Sequence, residues 1–258
     1  RPHPRGDWKE PPGWHEVGPT ELRKLGIDPA LLEDKRTGFH ATLFRDDNGR
    51  YVLSYEGTNF GDLTGDVAND IEGAAGISPQ VRQAITAATS VKERLMSQGI
   101  ADGNFSLTGH SLGGELAAAG SIATGTKATT FDAAGLSYSS INEAMKVAKQ
   151  NGYFTSEVDA RARVENYHFT TDILTNTQRS LPLPSAYGKQ TEVQGKPIDW
   201  LRHPFSSMGH GLDIMKERYD ERYGHLYGAQ KAQNQDQEVP IYLGGPPLVN
   251  PRTVPTGI

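Results

Sequence analysis

The stretch FSLTGHSLGGELAAAG, residues 105–120, leaves the chain few ways to fold. Phe105 to Thr108 reads as the end of a short buried strand, and Glu115 onward, with Leu116 and three successive alanines, reads as a helix. Only Gly109, His110, Ser111, Leu112, Gly113 and Gly114 separate the two. A strand that turns into a helix so quickly forces its middle residue into a strained backbone conformation and needs glycine where neighbouring chain comes close. Ser111 stands at the apex, with its hydroxyl expected to be exposed above the sheet. There it meets the N-terminus of the helix, where backbone amides and the helix dipole favour developing negative charge. The stretch reads as a nucleophile elbow. A glycine-rich turn of this kind also serves as a phosphate cradle, but that use calls for a lysine beside the glycines, and none is present.

The rest of the chain fits one α/β domain. With 258 residues it can bury a sizeable core. Charge is nearly balanced, 26 Lys+Arg against 31 Asp+Glu for a net of -5, and the basic residues are scattered, so nucleic acid is not an expected partner. Without cysteine there is neither a disulfide framework nor a thiolate metal site. No apolar run is long enough to span a bilayer as a helix, which gives the expectation of a soluble protein.

Residues 1–36 read as a proline-rich arm with short helices, pinned to the body by Trp8 and Trp14; residues 37–243 form the main domain and residues 244–258 a proline-rich tail. Apolar runs at 39–44 and 51–55, joined through Asp47-Asn48-Gly49, predict a β-hairpin. Ser78-Pro79 predicts a helix start, with Val81, Ile85, Ala88, Val91 and Leu95 on one face and Gly99 at its end. Strands are predicted at 128–131 and 164–169, with a helix around 141–149 between them. Strand alternating with helix in this way argues for a mainly parallel sheet covered by helices on both faces. After Leu181 the chain reads as irregular as far as a helix at 212–223. The glycine-rich loop at 56–70 leaves the end of a strand, where open α/β sheets bind ligands. Its acids Asp62, Asp66 and Asp70 read as helix-capping side chains, their spacing being wrong for an EF-hand calcium loop.

A serine hydroxyl needs a base to take its proton and an acid to orient the base, and after an elbow of this type the acid precedes the base in the chain. Two aspartates close predicted strands, Asp132 and Asp172. Asp172 is preferred, because the loop beside the elbow strand commonly shapes the pocket instead, with Asp132 its rival. Among the later histidines, His210 lies between Gly209 and Gly211 before a predicted helix and is the preferred base; His203 and His225 are the alternatives.

Taken together, Tyr55-Glu56-Gly57-Thr58, Gly109 to Gly114, Thr130 to Gly135, Asp172 and His210 to Asp213 resemble the class 3 lipase family, and within it the bacterial phospholipase-like branch that includes antibacterial effectors. The resemblance covers roughly residues 37–220. It implies an α/β-hydrolase fold and a serine acyl hydrolase with Ser111, Asp172 and His210 as its triad. It also implies an oxyanion hole from the amides of Thr58 and Leu112, with no metal or organic cofactor. Two positions depart from the family: Glu56 stands where arginine is usual before Gly-Thr, and Gly65 where an aromatic residue usually precedes the loop acid. The implied substrate is membrane phospholipid or acylglycerol, the implied setting secretion or delivery to a target cell envelope, and the implied partner a cognate immunity protein. A hydrolase of small soluble esters or thioesters would share every catalytic residue, and a non-catalytic binding module is the third class.

Overall fold

The computed structural model describes residues 13–57, 77–154, 156–170, 172–180 and 183–194. Eight strands are formed among them: β1 (Trp14–Glu16), β2 (Glu33–Asp34), β3 (Phe39–Asp46), β4 (Tyr51–Tyr55), β5 (Phe105–His110), β6 (Lys127–Phe131), β7 (Val164–Phe169) and β8 (Lys189–Val193). The main path runs β1, β3, β4, β5, β6, β7, β8, while β2 pairs with the beginning of β3. From β4 to β8 all neighbours are parallel, whereas β1 to β3 and β3 to β4 are antiparallel. Five strands therefore finish at one edge, which gathers residues 56–57, 111, 132 and 172.

Local chemistry accounts for most of these elements. The β3–β4 hairpin closes where expected, with Arg45 opposite Tyr51 and Gly49 at a φ of 77°. The Asp46 carboxylate holds its turn by accepting from the amides of Asn48 at 3.0 Å and Arg50 at 2.7 Å. Helix α1 (Pro19–Lys24) precedes the hairpin, and α2 (Pro79–Ser97) is the next described helix after β4. The Ser78 hydroxyl caps α2 by accepting from Val81 N at 3.1 Å, and the predicted face Val81, Ile85, Ala88, Val91 and Leu95 is buried throughout. Helix α3 (Leu112–Thr124) follows β5, α4 (Tyr138–Gln150) follows β6, α5 (Glu157–Ala162) leads into β7 and α6 (Ile173–Ser180) leaves it.

The core is built around α3, which packs on both α2 and α4 and on strands β5 and β6. Its small residues are the cause. Ala117, Ala118 and Ala119 are no more than 1% exposed, and a Cβ on Gly120 would sit 3.0 Å from the Ala88 methyl and 3.1 Å from Leu107 Cδ1. Leu53 of β4 and Leu107 of β5 are wholly buried, each contributing about 1.5–3 kcal/mol by removal from water. Lys92 on α2 is buried as well, and three partners accommodate its charge: the Thr124 carbonyl at 2.6 Å, the Asp102 carboxylate at 2.8 Å and the Tyr153 ring at 4.3 Å.

Trp14 holds its segment to the body: β1 pairs with β3, and Trp14 packs with Phe44 and Val52 in a small second core, under the Arg50 guanidinium. One expectation changes: the chain is not irregular throughout the region after Leu181, since β8 adds a parallel strand to β7. Its sequence KQTEV is polar and mostly exposed, as an edge strand requires, and so carried no apolar signal. Trp8, the helix expected at 212–223 and the tail 244–258 lie outside the described residues.

Candidate active site

The elbow forms between β5 and α3 as expected. Ser111 adopts φ 56° and ψ -124°, a conformation an L-residue holds at a cost of order 1–3 kcal/mol and only when its surroundings enforce it. The surroundings are backbone on three sides. Ser111 N donates to Phe131 O at 3.0 Å, and Ser111 O accepts from Gly114 N at 2.9 Å and Ala134 N at 3.0 Å. A Cβ on Gly109 would overlap the Gly113 carbonyl, one on Gly113 would overlap the Tyr55 carbonyl, and one on Gly114 would lie 2.6 Å from the Ala133 methyl. The turn is thus wedged between the ends of β4 and β6, and only glycine fits the wedge.

Ser111 is only 1% exposed, against the expectation of an exposed hydroxyl. The strand end on its other side explains this. A Cβ on Gly57 would stand 3.6 Å from the Ser111 Cβ and 2.6 Å from His110 O, so the chain leaving β4 closes over the elbow. The Ser111 hydroxyl makes no hydrogen bond among the described residues. Leu112 begins α3, and a helix start leaves its first amides without intrahelical carbonyls to bond, which makes them available to an anion. Thr58, the other expected oxyanion donor, lies outside the described residues, as do His210, His203, His225 and the loop acids Asp62, Asp66 and Asp70. Gly57, the residue before Thr58, is described and touches the elbow.

Both candidate acids reach the catalytic edge, and both are completely buried. Asp172 follows β7 and caps α6, its Oδ2 accepting from Thr175 N at 2.5 Å. Asp132 follows β6 at a φ of 41°, with its amide donating to Tyr167 O at 2.8 Å and its Oδ1 accepting from Phe169 N at 2.9 Å. Burial first, and the Asp172 charge second, push the Asp132 carboxyl well above the usual range.

Three further ionisable groups surround the edge, and the sequence reading singled out none of them as part of the site. His168 on β7 is buried, and its Nε2 lies 2.9 Å from an Arg179 nitrogen of α6. Arginine only donates, so Nε2 accepts and the neutral ring carries its proton on Nδ1. Burial, followed by the Arg179 charge, lowers the pKa of His168 accordingly. Glu115, in the first turn of α3, is pushed up to about 7 by burial. His40 on β3 pairs with Glu56, Nδ1 to Oε2 at 2.9 Å, just before Gly57. The hydrogen bond to Glu56 is the foremost cause of a raised pKa at His40, with burial opposing it. Among the described residues no group of three or more His, Cys, Asp or Glu side chains stands where it could hold a metal ion, and no helix is long and apolar enough to cross a membrane.

An extracellular phospholipase A1 of Serratia liquefaciens is 35% identical over 217 residues, 78% of this chain; the chain spans 62% of that protein's length. Among solved structures, carboxyl esterase 2 of the mycorrhizal fungus Tuber melanosporum is 14% identical with a TM-score of 0.35, covering 74% of this chain and 79% of its own. The thermostable carboxylesterase EstE1, from a metagenomic library, is 13% identical with a TM-score of 0.33, covering 81% of this chain and 93% of its own. Scores this low carry no weight beside the topology, in which a parallel sheet delivers a strained serine at a strand-to-helix turn in the manner of an α/β-hydrolase. The model of the Tle-like phospholipase domain matches residues 4–212, most of the sequence, and the chain belongs to this family of phospholipase-like proteins.

Proposed function

We propose that the chain is a serine hydrolase that cleaves carboxylic esters of membrane phospholipid through an acyl-enzyme. The observation that carries this reading is the strained Ser111, held by backbone between two strand ends at the start of α3. In the proposed reaction His210 takes the proton from the Ser111 hydroxyl as the oxygen attacks the ester carbonyl. The carbonyl oxygen becomes negative and is met by the amides of Leu112 and Thr58. Asp172 stabilises the imidazolium of His210. As the tetrahedral intermediate collapses, His210 returns the proton to the leaving alcohol, a lysophospholipid, and the fatty acyl group stays on Ser111. Water, deprotonated by His210, then attacks the acyl-enzyme; the fatty acid leaves and the proton returns to Ser111. Action outside the producing cell, with a cognate immunity protein as inhibitor, belongs to the same proposal. The extracellular phospholipase A1 of Serratia supports the action outside the cell, and the domain family supports the phospholipid substrate.

Phospholipid vesicles incubated with wild type and with Ser111→Ala, followed by mass spectrometry of the lipids, test this reading. Wild type should release fatty acid and lysophospholipid, and the alanine variant should be slower by several orders of magnitude. Losing one hydroxyl from a buried site should leave the fold intact. A variant retaining a tenth of the wild-type rate would refute Ser111 as nucleophile. Turnover of p-nitrophenyl butyrate by wild type, with phospholipid untouched, would move the reading to an esterase or thioesterase of small substrates.

A further inference from the structure

We infer that Asp132 is a positioning residue for the acid of this reaction: Asp132 and Asp172 form one buried carboxyl pair with a single negative charge, Asp132 holding the proton and Asp172 the charge. The inference rests on the reading of Ser111 and Asp172 given above.

The geometry starts at Phe169, the last residue of β7. Its amide donates to Asp132 Oδ1 at 2.9 Å, and its carbonyl accepts from Asp172 N at 3.3 Å. The two aspartates therefore bracket one residue, and neither has any exposed surface. Two carboxylates so placed lose hydration and repel each other, and the inexpensive escape is for one to stay protonated. The backbone decides which. Asp172 accepts an amide hydrogen bond at the N-terminus of the eight-residue helix α6, where the helix dipole favours negative charge. Asp132 begins no helix, and its Oδ2 is buried without a hydrogen bond among the described residues. The raised pKa of Asp132 agrees. The charged groups described around the pair do not reverse the assignment. His168 on β7 is held neutral, Arg179 on α6 is engaged by that histidine, and Glu192 of β8 lies 3.9 Å from it.

Such a pair explains a costly conformation. Aspartate at a φ of 41° is strained, and it is retained because the residue ties the end of β6 to Phe169 and so fixes the turn that presents Asp172. A neutral carboxylic acid makes that tie without adding a second charge beside the acid. It also leaves a reserve, since removal of the Asp172 charge should allow Asp132 to ionise.

Thermal unfolding as a function of pH tests the pair without reference to activity. In the wild type the folded state keeps a proton on Asp132 that the unfolded chain loses above about pH 4, so this site erodes stability as pH rises from there towards the folded pKa. Asp132→Asn cannot ionise and retains the oxygen that accepts from Phe169. Its Tm should exceed that of wild type at pH 8, with the difference vanishing near pH 4. The infrared band of protonated carboxylic acid at pH 8 should lose the contribution of one carboxyl group in Asp132→Asn, while any part due to Glu115 stays common to both proteins. Kinetics supply the second arm. Asp132→Asn should lower kcat by less than about tenfold, while Asp172→Asn lowers it by roughly a hundred- to ten-thousandfold. The residual rate of Asp172→Asn should climb with pH as Asp132 ionises, and the double variant should lose that climb. A Tm for Asp132→Asn below wild type at pH 8, or a kcat loss matching that of Asp172→Asn, would overturn the inference. Activity surviving in Ser111→Ala would instead overturn the proposed reaction, while the melting and infrared measurements would still decide on the pair.

Discussion

The elbow strand β5 lies between two strand ends that hold Ser111 by different means. On the β6 side Phe131, Asp132 and Ala133 are buried: Phe131 O accepts from Ser111 N, Ala134 N donates to Ser111 O, and Asp132 crosses to Phe169. On the β4 side the chain leaves through Glu56 and Gly57, which are tied back by a hydrogen bond from Glu56 N to His40 O at 3.0 Å and by an ion pair whose side chains are 45% and 53% exposed. One flank is fixed by backbone bonds in a dry setting, and the other rests partly on a contact that water, salt and pH can reach. Fold and acid are set on the first side, whereas the second, which delivers the proposed oxyanion loop, can adjust. Substitutions on the two sides should therefore fail differently.

Gly114→Ala should have the largest effect. The new methyl would meet the Ala133 Cβ at 2.6 Å and the Ala133 Cα at 3.0 Å, and Ala133 stands in the tightly bonded exit of β6. Neither partner can rotate away, so α3 or the strand end must shift. Overpacking of this kind costs about 1–3 kcal/mol. Both Tm and kcat should fall. A variant with unchanged Tm would show that the β6 side is softer than its hydrogen bonds imply.

Gly57→Ala is the matching change on the other flank and should separate the two quantities. Its methyl would come equally close, 2.6 Å from His110 O, but on a chain that has just left the end of a strand. Moving outward relieves the clash at little cost in stability. The same movement withdraws the adjacent Thr58 from the oxyanion, so kcat should drop by about a hundredfold, as for loss of one oxyanion donor, while Tm changes little. A comparable loss of Tm in both glycine variants would remove the distinction between the flanks.

What could be read from the sequence follows the same division. The elbow was legible because its demand for glycine is local, and so was the hairpin, because Asn48-Gly49 fixes its turn within a few residues. Helix α2 announced itself by Ser78, Pro79 and one apolar face. The burial of Ser111 was not legible, since it depends on Gly57, which is more than fifty residues earlier in the chain. Buried Lys92 gave no signal either, because Asp102, Thr124 and Tyr153 approach it only in the folded state. Asp132 and Asp172 were both recognisable as strand-end acids, but the amides of Phe169 and Thr175 that distinguish them come from tertiary structure and helix capping. Strand β8 escaped notice because an exposed edge strand has no apolar pattern to show.

The smallest effect, and the one that isolates the β4 flank, is expected from Glu56→Gln. The pKa of His40 is raised, foremost by its hydrogen bond to Glu56, with burial opposing and the charges of Glu56, Glu33 and Glu16 assisting. A histidine with a raised folded pKa contributes its full stabilisation below the unfolded value of about 6.5 and loses it as pH rises through the folded value. Wild type should therefore melt above Glu56→Gln at pH 6, and the two should converge under alkaline conditions. Because the pair is half-exposed, the contribution should stay within about 1 kcal/mol and shrink further in high salt. The same dependence should reach catalysis, since Glu56 immediately precedes the glycine that touches the elbow. The useful quantity is the ratio of wild-type to Glu56→Gln kcat at each pH, because every other pH effect on the reaction is common to both and cancels. That ratio should be a few-fold at pH 6 and approach one as His40 loses its proton. The backbone bond from residue 56 to His40 O survives the substitution and limits how far the chain can drift. A ratio that stayed flat across this range would show that the backbone bond alone holds the strand end, and that the ion pair does not act on the oxyanion side.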